Sequence, residues 1–361
     1  MIKRTIFIFS FIHFFMLAAM AQTSLSKYQP GVTGDGAVYF LPKTALRVSV
    51  LVEKTSYKPG EFCKFAERYL RLNDVEQEPN VSYKVLSIQL SPTAVADTSK
   101  AYSVKFNPLT AASNIRLSDD GVLLAINAEP LMPERAKPFK PAPRAKTPDP
   151  RQFMSEEIIS AGSTAKMAEL TASEIYDLRE NHSLLIKGQA DFMPKDGEQL
   201  RLMLNQLETQ ETALGSLFAG TTKRDTTEMV IVVRPDQELK KQVLFRLSQK
   251  LGVVDIDDLA GTPYYISVEN LRAVPPVDEA AAKKKKKPAT ESGIYVNVPG
   301  KMRVTIYDGI TPPTTTELPA PQFGNVELLS GNLFNKRFTT HLILNPLTGA
   351  LEKLDAEIPK K

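Results

Sequence analysis

Histidine, cysteine and tryptophan are nearly missing from this chain, and each gap removes a class of chemistry. In 361 residues there are three histidines, one cysteine and no tryptophan. One histidine, His13, falls in the N-terminal leader, leaving His182 and His341. Two histidines and one cysteine do not build the common zinc sites unaided. Cys63 cannot form a disulfide within the chain, so the fold must rest on a core. Its setting in EFCKFAERYL suits a small buried hydrophobe, with an intermolecular disulfide as the alternative. Without tryptophan, stacking on sugar rings falls to tyrosine or phenylalanine. Tyr264 and Tyr265 are adjacent, and they point to opposite faces of a strand. Neither a G-x-S-x-G elbow nor a G-x-x-x-x-G-K loop occurs. Ser163, in SAGSTAK, is the nearest approach to an active serine, but it lies along a stripe of small residues that serves close packing.

Long apolar runs are also absent beyond the leader, so no later segment is expected to span a bilayer. The leader itself, MIKRTIFIFSFIHFFMLAAMAQTSL, has a basic start, an apolar run and a small-x-small ending. It reads as a signal peptide over 1–21, cut between Ala21 and Gln22. No cysteine stands near that cut, so a lipoprotein is not indicated. Export is expected, to the periplasm first, with outer-membrane association or secretion as alternatives.

The formal charge of +4 misleads. Segments 128–150 and 278–291 each hold five bases and three acids. With these and the leader set aside, the remainder is slightly acidic. A nucleic-acid binder spreads base over a folded face, so nucleic acid is excluded as a partner. The run Lys283, Lys284, Lys285, Lys286 and Lys287 reads as a solvated loop. Its sharper reading is contact with anionic lipid or lipopolysaccharide phosphates.

What is present is pattern. After a polar arm over 22–35, ALRVSVLVEKT alternates Leu46, Val48, Val50 and Val52 against Arg47, Ser49 and Glu53, the period of a half-buried strand. EFCKFAERYL then reads as a short helix. YKVLSIQLS, AYSVKFN and the hairpin signal SDDGVLLAIN make 36–127 a mainly β domain. Residues 128–150, dense in proline, predict an extended linker or a strap over the surface. Within 151–222, Ile158, Ala161, Ala165, Ala168, Ala172 and Ile175 form one narrow stripe. Leu200, Met203, Leu204, Leu207, Leu214, Leu217 and Phe218 form a second, larger one. Together they predict an antiparallel helical hairpin. In 223–361 EMVIVVRP and PYYISVENL predict strands and QELKKQVLFRLSQKLG a short helix ending at Gly252. GIYVNVPGKMRVTIYDG predicts a strand pair turning at Pro-Gly. RFTTHLILNPLTGALEKL predicts another, turning over 345–349, with His341 a structural strand residue. The expected class is α+β, two mainly antiparallel β portions flanking a long helical hairpin.

Between the two helical patterns, GQADFMPKDGEQL concentrates acids. A calcium site would draw on Asp191, Asp196 and Glu198, but the spacing is not that of an EF-hand loop. Helix geometry accounts for more of it. Gly188 suits a C-cap, Asp196 an N-cap with Gln199 completing the box, and Glu198 the first turn.

The stretches YFLPKTALRVSVLVEKTSYKPGEFCKFAERYL, SAGSTAKMAELTASEIYDLRE, GQADFMPKDGEQLRLMLNQLETQETALGSLFAG, PQFGNVELLSG and NPLTGALEKL resemble a family of exported proteins from Bacteroidetes-type bacteria, domain-of-unknown-function family 4831. The resemblance covers nearly all the chain after the leader. It implies export into a Gram-negative envelope, and it brings no catalytic residues with it. With no nucleophile, metal or cofactor pattern, the reading is a non-enzymatic binding or scaffolding protein with an envelope protein as partner and no cofactor. The alternatives are a glycan- or peptidoglycan-acting hydrolase with paired carboxylates, and a carbohydrate-binding module.

Overall fold

A computed structural model describes residues 24–28, 37–105, 114–132, 137–143, 148–194, 196–276, 293–334 and 339–357. Ala21, Gln22 and the run from Lys283 to Lys287 lie outside the described residues. So does most of the arm expected over 22–35, except that Ser24–Lys27 form a strand, β1.

The alternating stretch lies in β2 (Ala37–Lys58), which pairs antiparallel with β3 (Asn80–Lys105). The β patterns read over 83–91 and 101–107, the latter as far as it is described, therefore fall in one strand. β1 adds to β3, and β6 (Thr221–Val233) adds to β2, giving the order β1-β3-β2-β6. A second sheet has the order β11-β10-β9-β7-β8. Its members are β7 (Leu239–Ser248), β8 (Gly252–Val254), β9 (Thr262–Asn270), β10 (Gly293–Tyr307) and β11 (Thr314–Ser330). A third joins β4 (Ile115–Leu117) and β5 (Leu123–Ile126) to β12 (Thr339–Leu344) and β13 (Leu351–Glu357), in the order β13-β12-β5-β4. The helices are α1 (Ala66–Leu70), α2 (Glu156–Ile159), α3 (Thr164–Lys187) and α4 (Gly197–Ala219).

Three cores follow from these faces. Leu46, Val48, Val50 and Val52 pack against Phe245, Ile266, Val268, Met302, Val304 and Ile306, closing the first sheet on the second. Tyr39, Leu41, Tyr102 and Val104, from the other ends of β2 and β3, pack with Leu123, Ile126, Ile294, Val296, Leu342 and Leu344. The long strands thus run through both β cores, shifting register at Phe40/Leu41 in β2 and Val298/Gly300 in β10. The third core is helical: Phe62, Ala66, Ala168, Ala172, Ile175, Leu214 and Phe218. It docks on the β2–β3 connection, where Phe62 N–H donates to the Leu217 carbonyl at 2.7 Å. Gly60 allows that approach, because a Cβ there would lie 2.1 Å from the Leu217 oxygen.

The expected class is corrected. Among the described residues 48% are strand and 23% helical, so the protein is mainly β rather than α+β. Nor do two β portions flank a central helical hairpin. β6 completes the sheet begun by β2, and β12 pairs with β5. Strands far apart in sequence share sheets, and the helices form a smaller cluster at one end.

Three local expectations are corrected too. LKKQVLFRLS is β7, not a helix. Register shifts at Leu239/Gln242 and Val243/Phe245 break its alternation. They leave Leu244, Phe245, Leu247 and Ser248 buried, a spacing that imitates a helical face. Pro299-Gly300 is a bulge within the continuous β10, not a turn between two strands. A Cβ on Gly300 would meet the Phe323 carbonyl oxygen at 2.5 Å, so the bulge needs glycine for close approach. Finally, the small-residue stripe is broken. Ser163 is the N-cap of α3, its hydroxyl accepting from Lys166 N–H at 3.2 Å, so Ala161 stands outside the helix.

Candidate binding groove

The groove follows from β2's alternation. With Leu46, Val48 and Val50 turned into the core, Arg47 and Ser49 face outward. Register sets Arg47 opposite Ser91 and Ser49 opposite Gln89 on β3. On the other flank β6 brings Glu228 beside them. Ser49 Oγ donates to Glu228 Oε1 at 2.5 Å, and Arg47 Nη2 lies 3.4 Å from the same oxygen. Glu228 Oε2 accepts from the Phe139 backbone N–H at 3.3 Å. That amide belongs to the proline-rich segment, whose described residues 137–143 meet the sheet here as a strap. The Ser49 hydroxyl, helped by the Phe139 amide and Arg47, holds the Glu228 carboxyl below its ordinary range.

One wall is the β4–β5 hairpin. Its turn is set by Gly121, at φ +77°, whose carbonyl accepts from Phe40 N–H at 2.9 Å and so pins the tip to β2. Arg116 on this wall pairs with Glu129 at 3.2 Å. The β12–β13 turn, with Pro346 and Leu347, and the strap, with Pro130, Met132 and Pro138, close the remaining sides. The enclosed volume is ≈ 1250 Å³, and its floor is the β3 run from Gln89 to Ala94. The described lining is made of short polar side chains, prolines, aliphatics and opposed charges, with no aromatic ring, histidine or cysteine.

The residues singled out in the sequence lie elsewhere. Asp196 is the N-cap of α4, accepting from Gln199 N–H at 2.7 Å. Glu198 is in that helix's first turn and Asp191 is exposed in the preceding corner. Among the described residues no three His, Cys, Asp or Glu side chains gather closely enough to hold a metal ion. His341 Nδ1 contacts the Asn127 carbonyl oxygen at 2.5 Å, tying β12 to the end of β5. His182 is half-buried in α3, and Cys63 is half-buried at the 3-10 turn before α1. Tyr264 stacks on Phe245 at 4.4 Å, whereas Tyr265 pairs with Tyr307 at 5.6 Å. No helix among the described residues is long and apolar enough to cross a membrane.

Sequence reasoning missed Glu228, Gln89, Ser91 and Thr93 as site residues. Its one available signal was Arg47 and Ser49 interrupting an otherwise apolar strand. Their partner on β6 is 179 residues from Ser49, and no local pattern points to it.

The family profile described as Domain of unknown function (DUF4831) matches residues 35–352. The chain belongs to that family. The match runs from just before β2 into β13, so the DUF4831 region takes in every groove wall and all three cores except Leu25 of β1. No curated protein and no solved structure matches the chain.

Proposed function

We propose that this protein is an exported, non-enzymatic binding protein of the cell envelope, and that it holds an extended polypeptide partner in the groove. The observation that carries this reading is the groove's construction. A ≈ 1250 Å³ trough runs along a strand, floored by Gln89, Ser91 and Thr93 and walled by prolines and aliphatics. Short polar side chains with apolar ridges match a main chain and its alternating side chains. The protein's own strap is already held there through a backbone amide, that of Phe139.

Two features weigh against the rival readings. A sugar-binding face would stack its ligand on aromatic rings, and the described lining offers none. A glycosidase acid needs a raised pKa, and Glu228 is shifted the other way.

The test is site-specific photo-crosslinking in intact cells. Photoreactive residues at Thr93 and Leu117, inside the groove, are compared with one at Thr315 on the exposed face of β11. The expected result is one polypeptide attached from both groove positions and not from Thr315. Attachment of glycan alone, or equal attachment from all three positions, contradicts the proposal.

A further inference from the structure

An edge strand exposes a row of unpaired N–H and C=O groups, and proteins blunt such edges by shortness, proline, bulges or charge. Five of the six described sheet edges are blunted. β1, β4 and β8 have four, three and three residues. β11 carries Pro319 and Pro321. β13 alternates Glu352, Lys353, Asp355 and Glu357 along an exposed ribbon.

β6 is the exception. It pairs with β2 over 13 residues without a register shift. Its first half carries Lys223, Arg224 and Asp225, but its second half is Met229, Val230, Ile231, Val232 and Val233, with no proline and no charge. Val230 and Val232 are 42% and 51% exposed. Such a segment on an open edge templates another strand.

Its sequence also selects the strand. Run antiparallel to itself about Ile231, β6 sets Val230 opposite Val232, Met229 opposite Val233, and Glu228 opposite Arg234. Directly opposed residues share a face. The outer stripe Glu228, Val230, Val232, Arg234 therefore meets its own reverse, apolar on apolar and acid on base. Arg234 is exposed. On the inner face, Met229, Ile231 and Val233 already pack against the core between the first two sheets, so pairing extends that core. We infer that β6 is a self-association edge: two copies of this chain join their first sheets across a two-fold axis at Ile231. The inference needs no partner in the groove but shares one residue with it: Glu228, already held by Ser49, Arg47 and the Phe139 N–H, takes Arg234 as a further partner at the groove's edge. The contact is a single strand pair, smaller than the about 1,000 Å² that a stable interface buries, so association is concentration-dependent.

The experiment is sedimentation equilibrium on the protein produced from its whole sequence, over a wide concentration range, with the thermal melt of each variant as a folding control. Monomer rising to dimer is expected. Val230→Lys with Val232→Lys, both exposed positions, leaves monomer throughout. Arg234→Glu sets like charges opposite and weakens the dimer by about tenfold. Register is read with Val230→Cys and Val232→Cys, each in a Cys63→Ser chain. The two mixed together form a disulfide-linked dimer, and either alone does not. Monomer at every concentration overturns the inference. So does a dimer indifferent to the lysine pair, or one cross-linked equally well by either cysteine chain alone.

Discussion

The two faces of the β1-β3-β2-β6 sheet come from the same strands and do opposite work. On the inner face Leu46, Val48 and Val50 are fully buried against the second sheet. On the outer face, one residue along, Arg47 and Ser49 meet Glu228, which holds the strap. Period two places a dry core and a polar trough back to back, about one strand thickness apart. The inner face is held by many packed contacts, none of them special. The outer face is held by a few hydrogen bonds converging on one carboxylate. The first should fail globally when altered and the second locally.

The largest effect is therefore expected on the inner face. Val50→Asp puts an unpaired carboxylate where no water reaches and should prevent folding, read as loss of soluble protein and of cooperative melting. Phe62→Ala, in the helical core, should cost about 3–5 kcal/mol by denaturant titration. Asp196→Ala removes only the cap of α4 and should cost about 1 kcal/mol, with no change on adding calcium. A calcium-dependent melt in the parent chain would revive the metal reading of that corner.

On the outer face, Glu228→Gln should leave the melt nearly unchanged but speed amide exchange in residues 137–143. The pH dependence has a definite sign. The folded-state pKa of Glu228 is depressed, so its grip on the strap is complete above the ordinary carboxylate range. It is lost as pH falls through the lowered value. Strap protection, measured relative to intrinsic exchange, should fall in that acid window alone, and Glu228→Gln should abolish the step. Loss of protection on going alkaline instead would contradict the assignment.

Legibility in the sequence follows the same division. Local period revealed the buried face of β2, the hairpin at Gly121 and the Asp196 cap, because each depends on residues a few positions apart. It failed at β7 and at Pro299-Gly300, where bulges shift the period and a tertiary close approach, not the local pattern, selects the residue. It failed for the class as well. The small helical core was read as the centre of the molecule, while the pairing of β6 with β2 and β12 with β5 has no local signature. The groove was least visible. Arg47, Ser49, Ser91 and Glu228 look like ordinary outward strand residues until register sets them side by side.

The most direct test of the groove as an occupied site is thiol accessibility in the cell. Thr93→Cys, on the floor, and Thr315→Cys, on the exposed face of β11, are each placed in a Cys63→Ser chain. Both are labelled with a small thiol reagent, in intact cells and after purification. If the groove holds a partner, Cys at 93 is protected in cells and reacts once purified, while Cys at 315 reacts equally in both. Equal labelling at 93 in both states would contradict the account.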